Sequence, residues 1–119
     1  MAPYERFLAW TFCHEFVLAA YRASRQWPPE ERFGLTAQLR RAAVSSAANI
    51  VEGSAKRGAR EFRRYLDISL GSIAECGYYL RLAHDLGILK PSEHRELSDL
   101  QQKAARATWK LYRSLTPAG

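Results

Sequence analysis

Three groups of residues in this chain have types and spacings that could do chemistry. Gln38, Arg41, Ser45, Asn49 and Glu52 recur every three or four residues, so on a helix they form one polar line. Lys56, Arg57, Arg60, Arg63 and Arg64 make the densest basic cluster, opposed locally only by Glu61. Lys103, Arg106, Lys110 and Arg113 make a second basic stripe near the far end of the sequence.

The polar line, together with Ser72 and Glu75, suits a hydrogen-bond network that fixes the register of two helices, or else a small ligand pocket. Each unpaired buried group in such a network would cost about 1–3 kcal/mol, which is how it enforces register. The basic groups suit phosphate. Arg60, Arg63 and Arg64 crowd the predicted start of a helix, where a cation is disfavoured by up to about 1 kcal/mol and an anion is welcome. With no aromatic-interleaved motif, the expectation is backbone or shape recognition rather than base reading. The same side chains would also serve as a plain solvated basic face.

Catalysis finds little footing. His14, His84 and His94 lack zinc-ligand spacing, and Cys13 and His14 are neighbours pointing in different helical directions. There is no phosphate-binding glycine loop, no paired-carboxylate motif, and no activating base for Ser45 or Ser46. No metal or cofactor is expected, and the chain reads as a non-enzyme. Cys13 and Cys76 lie within helical stretches and read as buried free thiols.

The whole chain is basic: 18 Lys and Arg against 12 Asp and Glu give +6 and a pI near 9.7 over 119 residues. Such a surface attracts polyanions, whether nucleic acid or an acidic protein. The size fits one domain spanning residues 1–119. His14 and Glu15 interrupt the first apolar run, so it reads neither as a signal peptide nor as a membrane span, and a cytoplasmic protein is expected.

Four helices would position these groups, at about 4–25, 30–53, 59–86 and 92–115. The first has two apolar stripes, Phe7, Trp10, His14, Val17 and Tyr21 on one face and Leu8, Phe12, Phe16 and Ala19 on another. That is more apolar surface than an outer helix of a monomer needs, and it predicts an interface. Trp27-Pro28-Pro29 breaks this helix, and Glu30 and Glu31 suit a new N-terminus. The second helix buries Leu35, Leu39, Ala42, Ala43, Ser46 and Ile50, while Ala37, Val44, Ala48 and Val51 form a second stripe for a partner. Gly53 reads as its stop, in the left-handed conformation.

The third helix centres on Phe62, Leu66, Ser69, Ile73, Gly77 and Leu80. Arg63 with Asp67 and Arg81 with Asp85 read as surface pairs four apart. Gly71 and Gly77 imply close approach of another helix, with the small-residue second helix as the candidate. Gly87 ends the third helix, and Leu97, Leu100, Ala104, Ala107, Leu111 and Leu115 form the seam of the fourth. Residues 116–119 read as a frayed tail. Short links and no convincing strand predict an all-α, antiparallel up-down-up-down bundle.

Trp27-Pro28, Glu30-Glu31, Phe33-Gly34-Leu35-Thr36, Gln38 and Arg40-Arg41-Ala42-Ala43 stand in an order seen in one bacterial family. Ser45, Asn49-Ile50, Glu52-Gly53, Phe62, Tyr65-Leu66, Gly71-Ser72, Glu75 and Leu86-Gly87 continue it. The sequence resembles the four-helix bundle proteins of the 23S rRNA intervening-sequence family, from about Tyr4 to Leu115. It departs at Ser46, where a larger aliphatic is usual, at Val51, where alanine is usual, and at Cys76-Gly77, which replaces bulkier residues.

The resemblance implies a ring-like homopentamer, for which the second apolar stripes offer Ala37, Val44, Ala48, Val51, Leu8, Phe12 and Phe16 as interface candidates. It also implies similarity in architecture to the accessory proteins of diversity-generating retroelements, which bind a reverse transcriptase and nucleic acid. The expectation is therefore a homo-oligomeric accessory protein binding RNA or DNA through its basic surfaces. The alternative is a structural or adaptor ring that holds a protein partner.

Overall fold

The computed structural model describes residues 1–115; the tail at 116–119 lies outside them. Four α-helices make up nearly all of it: α1 Leu8–Ser24, α2 Leu35–Ser54, α3 Ala59–Asp85 and α4 Pro91–Ser114. They pack around a square, α1 against α2 and α4, and α3 against the same two, in a rod of 49 × 22 × 21 Å. Partner numbers fall along α3 as they rise along α2: Gln38 meets Tyr79, Ser45 meets Ser72, and Gly53 meets Tyr65. The same opposition links α3 to α4, where Arg63 lies on Tyr112 and His84 on His94.

The first helix begins later than its periodicity predicts. Pro3–Arg6 forms a separate 3-10 turn, and Phe7 is extended (φ −91°, ψ 125°) before α1 starts at Leu8. That kink turns the Phe7 ring edge-on to Phe62 of α3, with centroids 5.4 Å apart. The second helix also starts late, at Leu35 rather than about 30. Pro29–Glu31 is a 3-10 turn, and its Glu31 carboxylate accepts the Leu35 N–H at 3.0 Å. Glu31 thus caps α2 from outside rather than opening it.

Gly53 does not stop α2. It is buried inside the helix, which runs on to Ser54, and a methyl there would sit 2.8 Å from Tyr65 Cβ and 2.9 Å from the Phe62 ring. Its missing side chain is what lets α3 pack so closely. The positive backbone angles fall at Gly58, just before α3, and at Gly87 after it (φ 84° and 76°). At Gly87 the Gly87 N–H donates to the His84 carbonyl and the Ile88 N–H to Ala83, the paired bonds of a left-handed helix stop. Gly71 faces open space, contrary to the expected close approach. Gly77 does meet a neighbour, but on α4: the Gln101 amide reaches in to donate to the Ile73 carbonyl at 3.0 Å.

Two apolar clusters fill the interior, one around Leu39, Cys76, Leu80 and Trp27, the other around Ile50, Phe62, Leu66 and Ala104. Small polar residues, one from each helix, are buried mid-rod: Cys13, Ser46, Ser69 and Thr108. Cys13 Sγ lies 3.7 Å from Thr108 Oγ1, the Ser69 hydroxyl donates to the Ser46 carbonyl at 2.6 Å, and the Ser46 hydroxyl to Ala43. Every hydroxyl there has a partner, so the helices meet at small residues without a stranded polar group. Ser46, unusual for the resemblance, finds its reason here.

The two glycines predict opposite signs. Gly53→Ala should lower the urea midpoint by the equivalent of about 1–3 kcal/mol, the cost of overpacking. Gly71→Ala should raise stability by about 0.5–1 kcal/mol, because its methyl meets nothing.

Candidate nucleic-acid interface

The bundle joins what the sequence separates. Phe7 on Phe62, Gly53 on Tyr65 and Arg63 on Tyr112 bring the start of α1, the end of α2, the start of α3 and the end of α4 to one end of the rod. Both basic clusters therefore share that half of the rod, the connector cations at its tip and Lys103 near the middle of α4. Residues 1–15, 46–71 and 103–115 hold ten Lys and Arg against five Asp and Glu, while the other half holds eight against seven. The chain's excess positive charge is thus mostly local.

Lys56, Arg57 and Arg60 are exposed at the α2–α3 connector and the first turn of α3. The Lys56 ammonium hangs 5.5 Å above the Tyr65 ring, and the Arg64 guanidinium 4.7 Å above the same ring. Arg64 also pairs with Glu61 at 3.2 Å, and the hydrogen bond to that carboxylate makes the guanidinium hold its proton more tightly than usual. Arg63 departs from its expected role. It stacks 4.3 Å over Tyr112 on α4 instead of pairing with Asp67, and its Nε is buried with no hydrogen-bond partner. It is half-buried, so it belongs to the α3–α4 joint more than to the free basic surface. The surface pair at Arg81 and Asp85 does form, at 2.9 Å.

On α4, Lys103, Arg106, Lys110 and Arg113 are all exposed. The first three, with Arg6, rim a groove of about 330 Å³ between α1 and α4, floored by Phe7, Leu8, Ala9, Phe12, Ala107 and Leu111. Arg6 belongs to neither sequence cluster; only the fold brings it beside them. Its own signal was weak, a lone cation near the start of the chain.

The polar line of α2 meets α3 along the groove between them. The Ser45 and Ser72 hydroxyls are 2.8 Å apart, the Asn49 amide donates to Ser45, and the Tyr79 hydroxyl donates to Glu75 at 3.0 Å, with Gln38 at 3.5 Å. Burial and the Glu75 carboxylate both push the Tyr79 phenol up. Arg41 and Glu52 are exposed and outside these bonds, although Arg41 helps line a shallow hollow of about 130 Å³ with Gln38, Ser45, Ser72 and Glu75. Tyr79 lies outside the polar line read from the sequence, one helical turn beyond Glu75.

The interface candidates divide. Val44 is 42% exposed and Ala48 is exposed, with Ala37 and Val51 half-buried beside them on the outer face of α2. Leu8, 67% exposed, and Phe12 line the α1–α4 groove instead. Phe16 is not a surface residue. At 2% exposure it packs into the core with Ala20, Leu39 and Leu80, because α1 turns that stripe inward after its first two turns.

The model of the 23S rRNA-intervening sequence protein family matches residues 5–110. The chain belongs to that family. It is similar in fold to a Bacteroides thetaiotaomicron protein of unknown function from the S23 ribosomal protein family, at a TM-score of 0.82 and 18% identity. That likeness covers 89% of this chain and 96% of the other. No curated protein matches the sequence. For this member of the intervening-sequence proteins, the family supplies the fold, and the site must be argued from its own residues.

Among the described residues no group of three or more His, Cys, Asp or Glu is placed to hold a metal ion, and no helix is long and apolar enough to cross a membrane. His14 stacks on Trp10 at 4.9 Å, and His84 on His94 at 4.6 Å. Burial pushes the Cys76 thiol up to about 12, with Cys13 and Glu75 adding to it, and burial also raises Cys13 against the hydrogen bond from Thr108. Both thiols should therefore resist a thiol-modifying reagent at pH 8 in the native protein. In denaturant, where their pKa returns to about 8.5, both should react within minutes. Rapid native modification of either would contradict the burial seen here.

Proposed function

We propose that this intervening-sequence family protein is a non-enzymatic, cytoplasmic, homo-oligomeric accessory protein that binds the phosphate backbone of nucleic acid with the basic end of its bundle. The observation that carries this reading is the gathering of Lys56, Arg57, Arg60, Lys103, Arg106 and Lys110 on one half of the rod. Like charges gathered on one surface repel one another, and a polyanion relieves that repulsion while releasing its own counterions. The start of α3 adds the partial positive charge of its unpaired N–H groups.

The assembly we propose is a pentameric ring of antiparallel up-down-up-down bundles, formed through the exposed stripe of Val44 and Ala48. A ring repeats the basic end around its axis, so weak contacts add on one strand. The nucleic acid is RNA or DNA, and a reverse transcriptase is a candidate enzyme for such an accessory protein to serve. One observation favours a second reading, an adaptor ring for a protein partner. The α1–α4 groove has an apolar floor and a wholly cationic rim, which would suit an acidic amphipathic helix.

Fluorescent RNA and DNA titrated across a salt series test the first reading. We expect binding whose log–log slope is about −3 to −5, matching the phosphates one basic end can reach. Arg57→Glu with Arg60→Glu should weaken it at least about tenfold and flatten the slope by about 1–2. No binding at low salt, together with capture of an acidic helical peptide, would favour the adaptor. The ring has its own test. Val44→Glu should reduce the sedimenting mass to that of a monomer while helicity is kept, since Val44 faces outward. Unchanged mass would place the subunit contact elsewhere.

A further inference from the structure

One large aromatic stands inside the basic surface. Trp109 is 50% exposed on α4, three residues after Arg106, four before Arg113 and next to Lys110. At that spacing, one turn on either side of the indole presents a guanidinium on the same outward face. Between positions 100 and 115 the chain has no Asp or Glu, so no carboxylate of α4 repels a phosphate there.

The indole is also held in place. Its ring is nearly parallel to that of Tyr112, with centroids 5.5 Å apart and planes 11° apart, and Tyr112 bears the Arg63 guanidinium at 4.3 Å. Of the other two tryptophans, Trp27 is buried and Trp10 is half-buried between Tyr4 and His14. Trp109 alone of the three offers a broad face to solvent, and it does so among the cations of α4.

We propose that Trp109 is a stacking platform for an unpaired nucleobase, with Arg106, Lys110 and Arg113 holding the phosphates on either side. The inference rests on the nucleic-acid reading and narrows it to single-stranded nucleic acid. A base within a duplex has both faces covered by its neighbours, whereas an unpaired base can lie on an aromatic ring whatever its sequence. The clamp supplies affinity through charge, and the indole supplies preference for unpaired over paired strands. An aromatic stack between a base and a protein ring changes affinity on the order of ten- to a hundredfold.

The test compares three fluorescent probes of equal length at one salt concentration: a single-stranded RNA, its duplex, and an abasic strand that keeps the phosphates but has no bases. The wild-type protein should bind the single strand at least about tenfold more tightly than the abasic strand. Trp109→Ala should abolish that difference while leaving abasic affinity unchanged, and Trp109→Phe should restore part of it. Trp109 is exposed, so circular dichroism of both variants should match the parent.

Equal binding of the base-bearing and abasic strands by the wild-type protein would overturn stacking and leave backbone binding standing. Binding of none of the probes would overturn both readings together. A change in sedimenting mass on Trp109→Ala would also overturn the proposal, because the indole would then be a contact between copies.

Discussion

The structure depends on how closely α2 can approach α3. Gly53 presents no side chain to Phe62 and Tyr65, Ser46 offers its carbonyl to Ser69, and Ser45 shares a hydrogen bond with Ser72. Any larger residue at these points would push the helices apart or leave a buried hydroxyl unpaired, at a cost of about 1–3 kcal/mol each. The close contact pins the register of the two helices and holds the connector tight. It also fixes where the connector's cations point, because Lys56, Arg57 and Arg60 follow directly from the last turn of α2.

From that constraint the charge distribution follows. The α3–α4 pairing at Arg63–Tyr112 and Gly77–Gln101 places the α4 cations on the same half of the rod, and the edge-on contact of Phe7 with Phe62 brings Arg6 beside them. A basic surface is thus assembled from four separate stretches of chain. The opposite end, where Arg81 pairs with Asp85 and Glu31 caps α2, has nearly balanced charges. Stability is provided by the apolar clusters and the mid-rod layer of small polar residues, and of the cations on the basic half Arg63 is the one half-buried in a helix joint.

Much of this was legible in the sequence, for physical reasons. The core stripes of α2, α3 and α4 repeat at helical spacing, and Gly87 stops α3 as its type predicts. What escaped was whatever depends on a neighbour. Gly53 looks like a stop until α3 is seen lying against it. Arg63 looks like the partner of Asp67 until Tyr112 of α4 is seen beneath it. Phe16 looks like an outward stripe because stripe position alone does not say which face α1 turns inward. The spacing of Arg106, Trp109 and Arg113 was readable in principle. It lacked weight because an aromatic on a helix is usually core, and only its exposure distinguishes this one.

The four lysines of the chain offer the most direct measurement of the central claim. Lys56, Lys103 and Lys110 stand on the basic half of the rod and Lys90 on the other, all exposed. Lysine acetylation followed by mass spectrometry, with and without single-stranded RNA at low salt, reads each of them separately. The account predicts protection of Lys56, Lys103 and Lys110 with Lys90 unchanged. Protection of none, or of Lys90 as strongly as the rest, would contradict it.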